Sequence, residues 1–426
     1  MKSQGLKLGL IFRAFKSRNY RLFFGGQGIS LIGTWMTTTA TIWLVYQLTN
    51  SALMLGLVGF ANQIPNFILT PFAGVLVDRW DRHRTLIITQ ILAMIQSLTL
   101  AGLALTGTIN IWYIVVLSIF QGLINAFDMP ARQTFVVEIV ETREDLGNAI
   151  ALNSSMFSGG RLIGPAIAGI VIAAAGSSVC FLIDGLSYIA VIAALLAMKI
   201  TPRMTKDIHV NENIFKKLQE GFNYAFGFAP IRSILLLIAL VSFMGMPYTV
   251  LAPIFATQIL HGGANTLGFL MAFSGLGSLI GGVYLSSRSS VVGLGKIIAI
   301  APALFGIGLI IFSLSTTLWL SLLAMLLVGF SLILNVSSSN TLLQTIVDED
   351  KRGRVMSFYT MSFIGMVTFG NLLAGSLANK IGAPITLMLG GIFCILGSII
   401  FSRQLPNLRR LVRPIYSKMG LISEAS

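Results

Sequence analysis

Long apolar runs separated by short polar loops account for most of the chain. Roughly 17–25 mostly apolar residues suffice to cross a hydrocarbon core about 30 Å thick. Twelve segments meet that length, near 22–46, 52–76, 85–106, 111–128, 147–175, 178–198, 231–260, 265–287, 293–314, 317–341, 355–379 and 383–402. They do not alternate apolar with polar residues, as the strands of a membrane barrel would. Backbone groups in hydrocarbon must be satisfied internally, so these runs predict helices and an all-α integral membrane protein. The longest polar stretch, 199–230, separates six spans from six. The expected organisation is a six-helix bundle over 1–198, a linker over 199–230, a second six-helix bundle over 231–403 and a tail over 404–426. Inside the linker, Phe215, Leu218, Phe222 and Phe226 recur at helical spacing opposite Lys216, Lys217 and Glu220. That pattern predicts an amphipathic helix on the inner membrane surface.

The two halves echo each other. Ile139-Val140 after the fourth span matches Ile346-Val347 after the tenth at an offset of 207, and the same offset carries Gly74 onto Gly281. With the six-plus-six layout, these matches argue for internal duplication into two pseudo-symmetric bundles. Parallel repeats of this kind, with substrate bound near the midplane between them, describe one large transporter architecture.

Charge sets the orientation. With the N-terminus inside, 27 of the 29 Lys and Arg residues fall in inside segments or at the inner ends of spans; Lys380 lies outside and Arg161 lies well within a span. The positive-inside rule predicts that skew, and one span more or fewer would scramble it. Both termini are therefore expected in the cytoplasm, with the protein in the plasma (inner) membrane. The chain is 55% hydrophobic and 10% charged, against about 25% charged in ordinary soluble domains. Its net charge of +14 is scattered over seven short loops and tails rather than gathered on one face. This points to anionic membrane lipid as the partner and away from nucleic acid. The first apolar run is long and has no small-residue cleavage site, so it reads as a retained span.

Several chemistries are disfavoured. Cys180 and Cys394 both fall within spans, and neither a disulfide framework nor a metal-ligand spacing is present. Gly293-Leu-Gly295-Lys296 has Ile297 where a phosphate loop needs Ser or Thr, so ATP drive is not expected. The histidines His83, His209 and His261 form no metalloprotease motif, and no hydrolase nucleophile elbow occurs. No cofactor and no enzyme activity are expected. The outer loops are too short for a receptor ectodomain.

Away from the span ends, two ionisable residues lie inside spans: Arg161 in the fifth and Asp184 in the sixth. An unpaired charge there costs several kcal/mol, which makes both functional candidates. Burial works against the ionised form of Asp184 and a nearby Arg161 favours it, a competition suited to proton coupling. A static pair, or an Asp184 hydrogen-bonded to Ser187, is the structural alternative. Candidates to line a substrate cavity are Gln27, Thr34, Thr38, Asn62, Asn66, Asn125, Asn153, Asn335 and Asn340, with Trp35, Phe60 and Tyr359 as apolar walls. Their alternative role is hydrogen bonding between helices, worth roughly 0.6 kcal/mol each.

The loop after the second span reads Gly74-Val-Leu-Val-Asp78-Arg79-Trp-Asp81-Arg82-His83-Arg84. It resembles the signature loop of the major facilitator superfamily, which usually has a second Gly where this chain has Asp81. The resemblance implies a latch: Gly74 permits close helix approach, Asp78 caps the positive end of a helix from the other half, and Arg79 and Arg82 pair with carboxylates. The second-half counterpart, Gly281 followed by Arg288, is degraded. In the fifth span, Gly160-Arg161-Leu-Ile-Gly164-Pro165-Ala-Ile-Ala168-Gly169 resembles the Gly-Pro motif of superfamily antiporters, with Ala151 in place of an earlier Gly. Small residues four apart allow tight packing, and Pro165 bends the helix. Pro130-Ala-Arg132-Gln133, Asn148-Ala-Ile-Ala-Leu-Asn153-Ser154 and Arg352-Gly-Arg354-Val-Met-Ser357 complete a likeness to the subfamily that contains enterobactin exporters and macrolide efflux proteins. The major facilitator fold follows as an expectation. So does a monomeric secondary transporter that exports a small amphipathic organic compound by alternating access, with protons as the coupling ion. Uptake or lipid flipping by the same fold is the alternative.

Overall fold

A computed structural model describes residues 13–140, 143–199, 214–288, 290–349 and 351–420. Within its helices, the side-chain positions of Gly74, Asp78, Arg79, Phe215–Leu218 and Glu220 lie outside the described residues. The first six spans are α1 Arg18–Thr49, α2 Ala52–Arg79, α3 Arg82–Leu105, α4 Ile111–Ile139, α5 Arg143–Ala175 and α6 Ser177–Ala197. Helix α7, Ile214–Gly227, lies in the linker. The seventh span is α8 Ala229–Met244 continued by α9 Tyr248–Ile254 and a π turn, Phe255–Ile259. Next come α10 Ala264–Ser286, α11 Leu294–Leu314 and α12 Leu318–Ile346. The eleventh span joins α13 Arg352–Thr360 to α14 Met366–Ile381 through a π turn, Met361–Gly365, and α15 Ala383–Lys418 is the last. Among the described residues there is no strand, and twelve helices are long and apolar enough to cross a bilayer.

Local chemistry explains the breaks. Asn110 caps α4 by accepting from the backbone N–H groups of Trp112 and Tyr113 at 3.0 and 3.1 Å, which satisfies donors that a helix start leaves orphaned. Pro247 precedes α9 and Pro253 lies inside it. A proline removes a helix N–H and crowds the preceding turn; here the backbone continues into the π turn.

Three helices outrun their apolar runs. Helix α4 reaches Ile139, α12 reaches Ile346 and α15 reaches Lys418, whereas apolarity alone predicts ends near 128, 341 and 402. Hydropathy marks where hydrocarbon ends, but helical hydrogen bonding continues as long as the side chains permit. In the stretch from 404, expected as a tail, the helix continues through Lys418. Leu408 and Val412, four residues apart on one face, are buried in a cluster with Ala225, Ile346 and Val355. Helix α7 meets the same region: Ala225 is fully buried, and Phe222 stacks on Phe226 at 4.4 Å and meets Phe358 edge-on.

The described residues form two compact units. The first runs to Leu48 and from Ile64 into the linker; the second takes Thr49–Gln63 and the rest of the chain. The division thus falls inside α2 rather than only at the linker. Gly56, in its early part, lies against the Asn371 carbonyl and Gly375, where any side chain would collide.

Each unit packs on the same plan. In the first, α3 is the third span and lies mainly on α6, the sixth, and on α4, the fourth. In the second, α11 is the ninth span and lies on α15, the twelfth, and on α12, the tenth. The repeated dipeptides also occupy one structural position. Ile139 and Ile346 end α4 and α12, and Val140 and Val347 follow as extended caps with φ/ψ of −87/120° and −93/136°. The echo in the sequence is a structural equivalence.

Candidate functional site

Asp184 projects from α6 into the packed interior of the first unit, with 1% of its surface exposed. Ser97 of α3 donates to its Oδ2 at 2.7 Å. The other oxygen, Oδ1, has no hydrogen-bond partner. Helix α1 closes that side through Gly33, whose absent Cβ would lie 2.8 Å from Oδ1 and 2.9 Å from the Ser187 hydroxyl. The Thr37 hydroxyl, one turn further along α1, approaches the carboxyl without completing a hydrogen bond. Ser187 donates to the Asp184 backbone carbonyl at 2.7 Å rather than to its side chain.

The expected Arg161–Asp184 pair is not among these contacts. The Arg161 guanidinium sits over the Trp35 ring, 5.8 Å from its centroid, and Trp35 meets Phe157 edge-on at 5.7 Å. Helix geometry keeps the two charges apart. Gly33 and Trp35 are two residues apart on α1, and therefore about 200° around the helix. Asp184 faces the Gly33 side and Arg161 the Trp35 side. The small-residue motif explains why α5 can come so close to that second side. A Cβ on Gly164 would lie 2.5 Å from Trp35 Cβ, and one on Gly160 would lie 3.2 Å from Trp35 Cδ1. Pro165 and Gly169 are buried on the same helix.

A second buried carboxylate has a different environment. Asp128 of α4 is 5% exposed; it accepts from Thr89 Oγ1 at 2.8 Å and Gln90 Nε2 at 2.7 Å, and forms an ion pair with Arg132 one turn on. With its amide oxygen turned toward Arg132, Gln27 accepts from Nη1 at 2.6 Å. Gln27, a cavity candidate in the sequence, is thereby tied to an ion-pair network that the sequence reading did not assemble. The available signal was Asp128 and Arg132 at i and i+4, which share a helix face. The apolar run stopped at 128 and left Arg132 in a loop.

The loop between α2 and α3 is built by Asp81. It stands at φ −66°, accepts from Arg84 N at 2.9 Å and caps α3. A left-handed turn is not required there, so a carboxylate that satisfies the helix start can replace the family's usual Gly. Arg82 pairs with Glu138 near the end of α4. The sequence called for a carboxylate partner to Arg82 without naming Glu138. The backbone of Gly74, Asp78 and Arg79 belongs to α2, while their side-chain positions lie outside the described residues.

The remaining polar candidates are dispersed. Thr34 donates to Ser30 O and lies 3.5 Å from Tyr188 Oη; Thr38 donates to Thr34 O. Asn125 accepts from Gln121 at 3.1 Å. Asn62 and Asn66, on α2, are both engaged in contacts, and Asn153 is half-buried on α5. Phe60 meets Phe369 edge-on and Asn340 accepts from Gln344. In the second unit, Tyr359 donates to Val336 O at 2.8 Å within an apolar cluster. Asn335 is fully buried and neither of its amide atoms has a partner. No group of three or more metal-ligating side chains is found among the described residues.

Solved structures share this fold. A nucleoside transporter matches with a TM-score of 0.70 at 13% identity, over 94% of this chain and 99% of its own. A bacterial homologue of the human lysosomal transporter Spinster, in an inward-facing, unoccupied conformation, matches at 0.68 and 14% identity, over 94% and 98%. These likenesses show the fold: among the described residues, twelve apolar helices in the major facilitator arrangement. The chain belongs to the transmembrane secretion effector family, whose profile matches residues 11–412, and is thereby a major facilitator superfamily transporter, not an enzyme. Its relatives include a staphyloferrin A transporter from Staphylococcus aureus, 25% identical over 89% of this chain and 95% of the relative. A macrolide efflux protein A from Streptococcus pyogenes is 24% identical over 89% and 96%. An enterobactin exporter from Citrobacter koseri is 23% identical over 93% and 94%. The family acts on small-molecule substrates.

Proposed function

We propose that this transporter exports a small amphipathic organic compound in exchange for protons by alternating access, with both termini in the cytoplasm. The coupling assignment rests on Asp184. It is buried, has one neutral donor in Ser97, and faces α1 with an oxygen that nothing satisfies. An ionised carboxylate in such a place lacks a counter-charge, which favours binding a proton whenever the site is closed to water. Asp128, held by Arg132 and two neutral donors, braces the first unit. The export direction draws on the names of the macrolide and enterobactin relatives. The defining experiment compares accumulation of dyes, macrolides and siderophores in cells with and without the protein. Lower accumulation with the protein, reversed when the proton gradient is collapsed, is expected. Higher accumulation would establish uptake instead.

Orientation is tested separately. Impermeant labels should fail to reach tags in the central linker near Asp207 or in the tail near Ser423 of intact cells, and should react at Gly107. Labelling of the linker from outside would reverse the assignment.

The loop between α2 and α3 is proposed as a latch through Asp78, Arg79 and Arg82. Asp78→Ala is expected to impair transport with the protein still in the membrane, and to make residues in the inner half of the substrate path more reactive. Normal transport with unchanged reactivity would reduce the loop to an orientation signal.

A further inference from the structure

We propose that the turn joining α10 to α11, with the adjoining face of α12, forms a binding site for a phosphate-type oxyanion. A cavity of about 170 Å³ opens there, lined by Arg288, Ser290, Leu294, Ser338 and Thr341 among others, with no acidic side chain among the described residues of its wall. A single water needs only roughly 10–15 Å³ by the same kind of measure, so the space accommodates a polyatomic ion. Two groups in it are built but unused. Ser338 is 1% exposed and its hydroxyl has no partner, although a helical serine ordinarily bonds back to its own helix. Arg288 is held by Tyr284 Oη at 3.5 Å from Nη1 and by the Val292 carbonyl at 3.1 Å from Nη2, which leaves its buried Nε without a partner.

The helix behind the cavity supplies a third element. Helix α11 begins at Leu294, after Gly293 at φ 95°, and no side chain caps it. The start of a 21-residue helix carries the positive end of the backbone dipole, and Lys296 adds charge in the first turn. A guanidinium N–H, hydroxyls from α12 and from Ser290 in the turn, and a helix start present donors from several directions. That array suits a tetrahedral oxyanion, which can accept from all of them at once. The ion could be free phosphate or the headgroup of an anionic lipid, since both offer the same oxygens.

The test uses the purified full-length transporter and its thermal unfolding in two arms. One arm titrates sodium phosphate in detergent against sodium chloride at matched ionic strength. The other compares nanodiscs of phosphatidylglycerol, mixed in increasing fraction, with nanodiscs of phosphatidylcholine alone, in phosphate-free buffer. The wild type should show a saturable rise in melting temperature in at least one arm. The half-saturating level should rise roughly tenfold or more in Arg288→Gln and in Ser338→Ala, as expected for losing a hydrogen bond to a charged group. A response to free phosphate assigns the soluble ion; a response confined to the lipid arm assigns the headgroup. Absence of a saturable response in both arms, or its retention in either variant, would overturn the proposal. If Arg288→Gln does not fold, Ser338→Ala, which deletes one oxygen, decides alone.

Discussion

Asp184→Asn is expected to abolish uphill export while leaving downhill exchange intact. Asparagine matches the neutral carboxyl in size and can still accept from Ser97, so the packing of α6 against α3 and Gly33 should survive. It cannot release a proton, and the cycle loses its link to the pH gradient. In proteoliposomes, gradient-driven flux should fall to background, with substrate–substrate exchange persisting. Gradient-driven flux that survives would exclude Asp184 as the carrier and direct attention to Asp78 or Asp128. Arg161→Ala should leave the pH profile of transport in place, because its guanidinium lies over Trp35 on another side of α1. A shifted profile in that variant would restore the electrostatic pair that the contacts argue against.

The largest effect on stability should come from Arg132→Gln. It removes the cation paired with Asp128, a carboxylate 5% exposed. Breaking a buried pair by deleting one partner costs about 3–5 kcal/mol, because the remaining charge is left without compensation. The melting temperature in detergent should drop sharply. Adding Asp128→Asn should restore most of the loss, since Thr89 and Gln90 can still hydrogen-bond a neutral amide. Equal stability of wild type and Arg132→Gln would show that the pair is dispensable to the fold.

The spans were legible because hydrocarbon imposes one rule on every residue within it. Apolar runs therefore located α1 to α6 and their six counterparts, and the 207-residue echo marked equivalent helix ends at Ile139 and Ile346. Contacts that depend on rotation about a helix axis were not legible. Arg161 and Asp184 lie in neighbouring spans, yet α1 separates them by presenting Gly33 to one and Trp35 to the other. Arg132 was hidden for another reason: a helix carries on after its apolar run ends, so a residue counted as loop proved to be one turn from Asp128. Asp81 shows a third limit. A departure from a family's glycine looks like a defect in one line of sequence, but it is explained when the helix it caps is seen.

Both thiols of this chain are out of reach of water. Cys180 turns its sulfur toward the Ala168 carbonyl at 3.9 Å, and both it and Cys394 have no exposed surface. Packing chosen for the interior of two helix bundles has thus made the native chain nearly silent toward aqueous maleimides and spin labels. A single engineered cysteine can then report on distance and accessibility in the otherwise wild-type protein, with no need to delete Cys180 or Cys394 and disturb the helices around them.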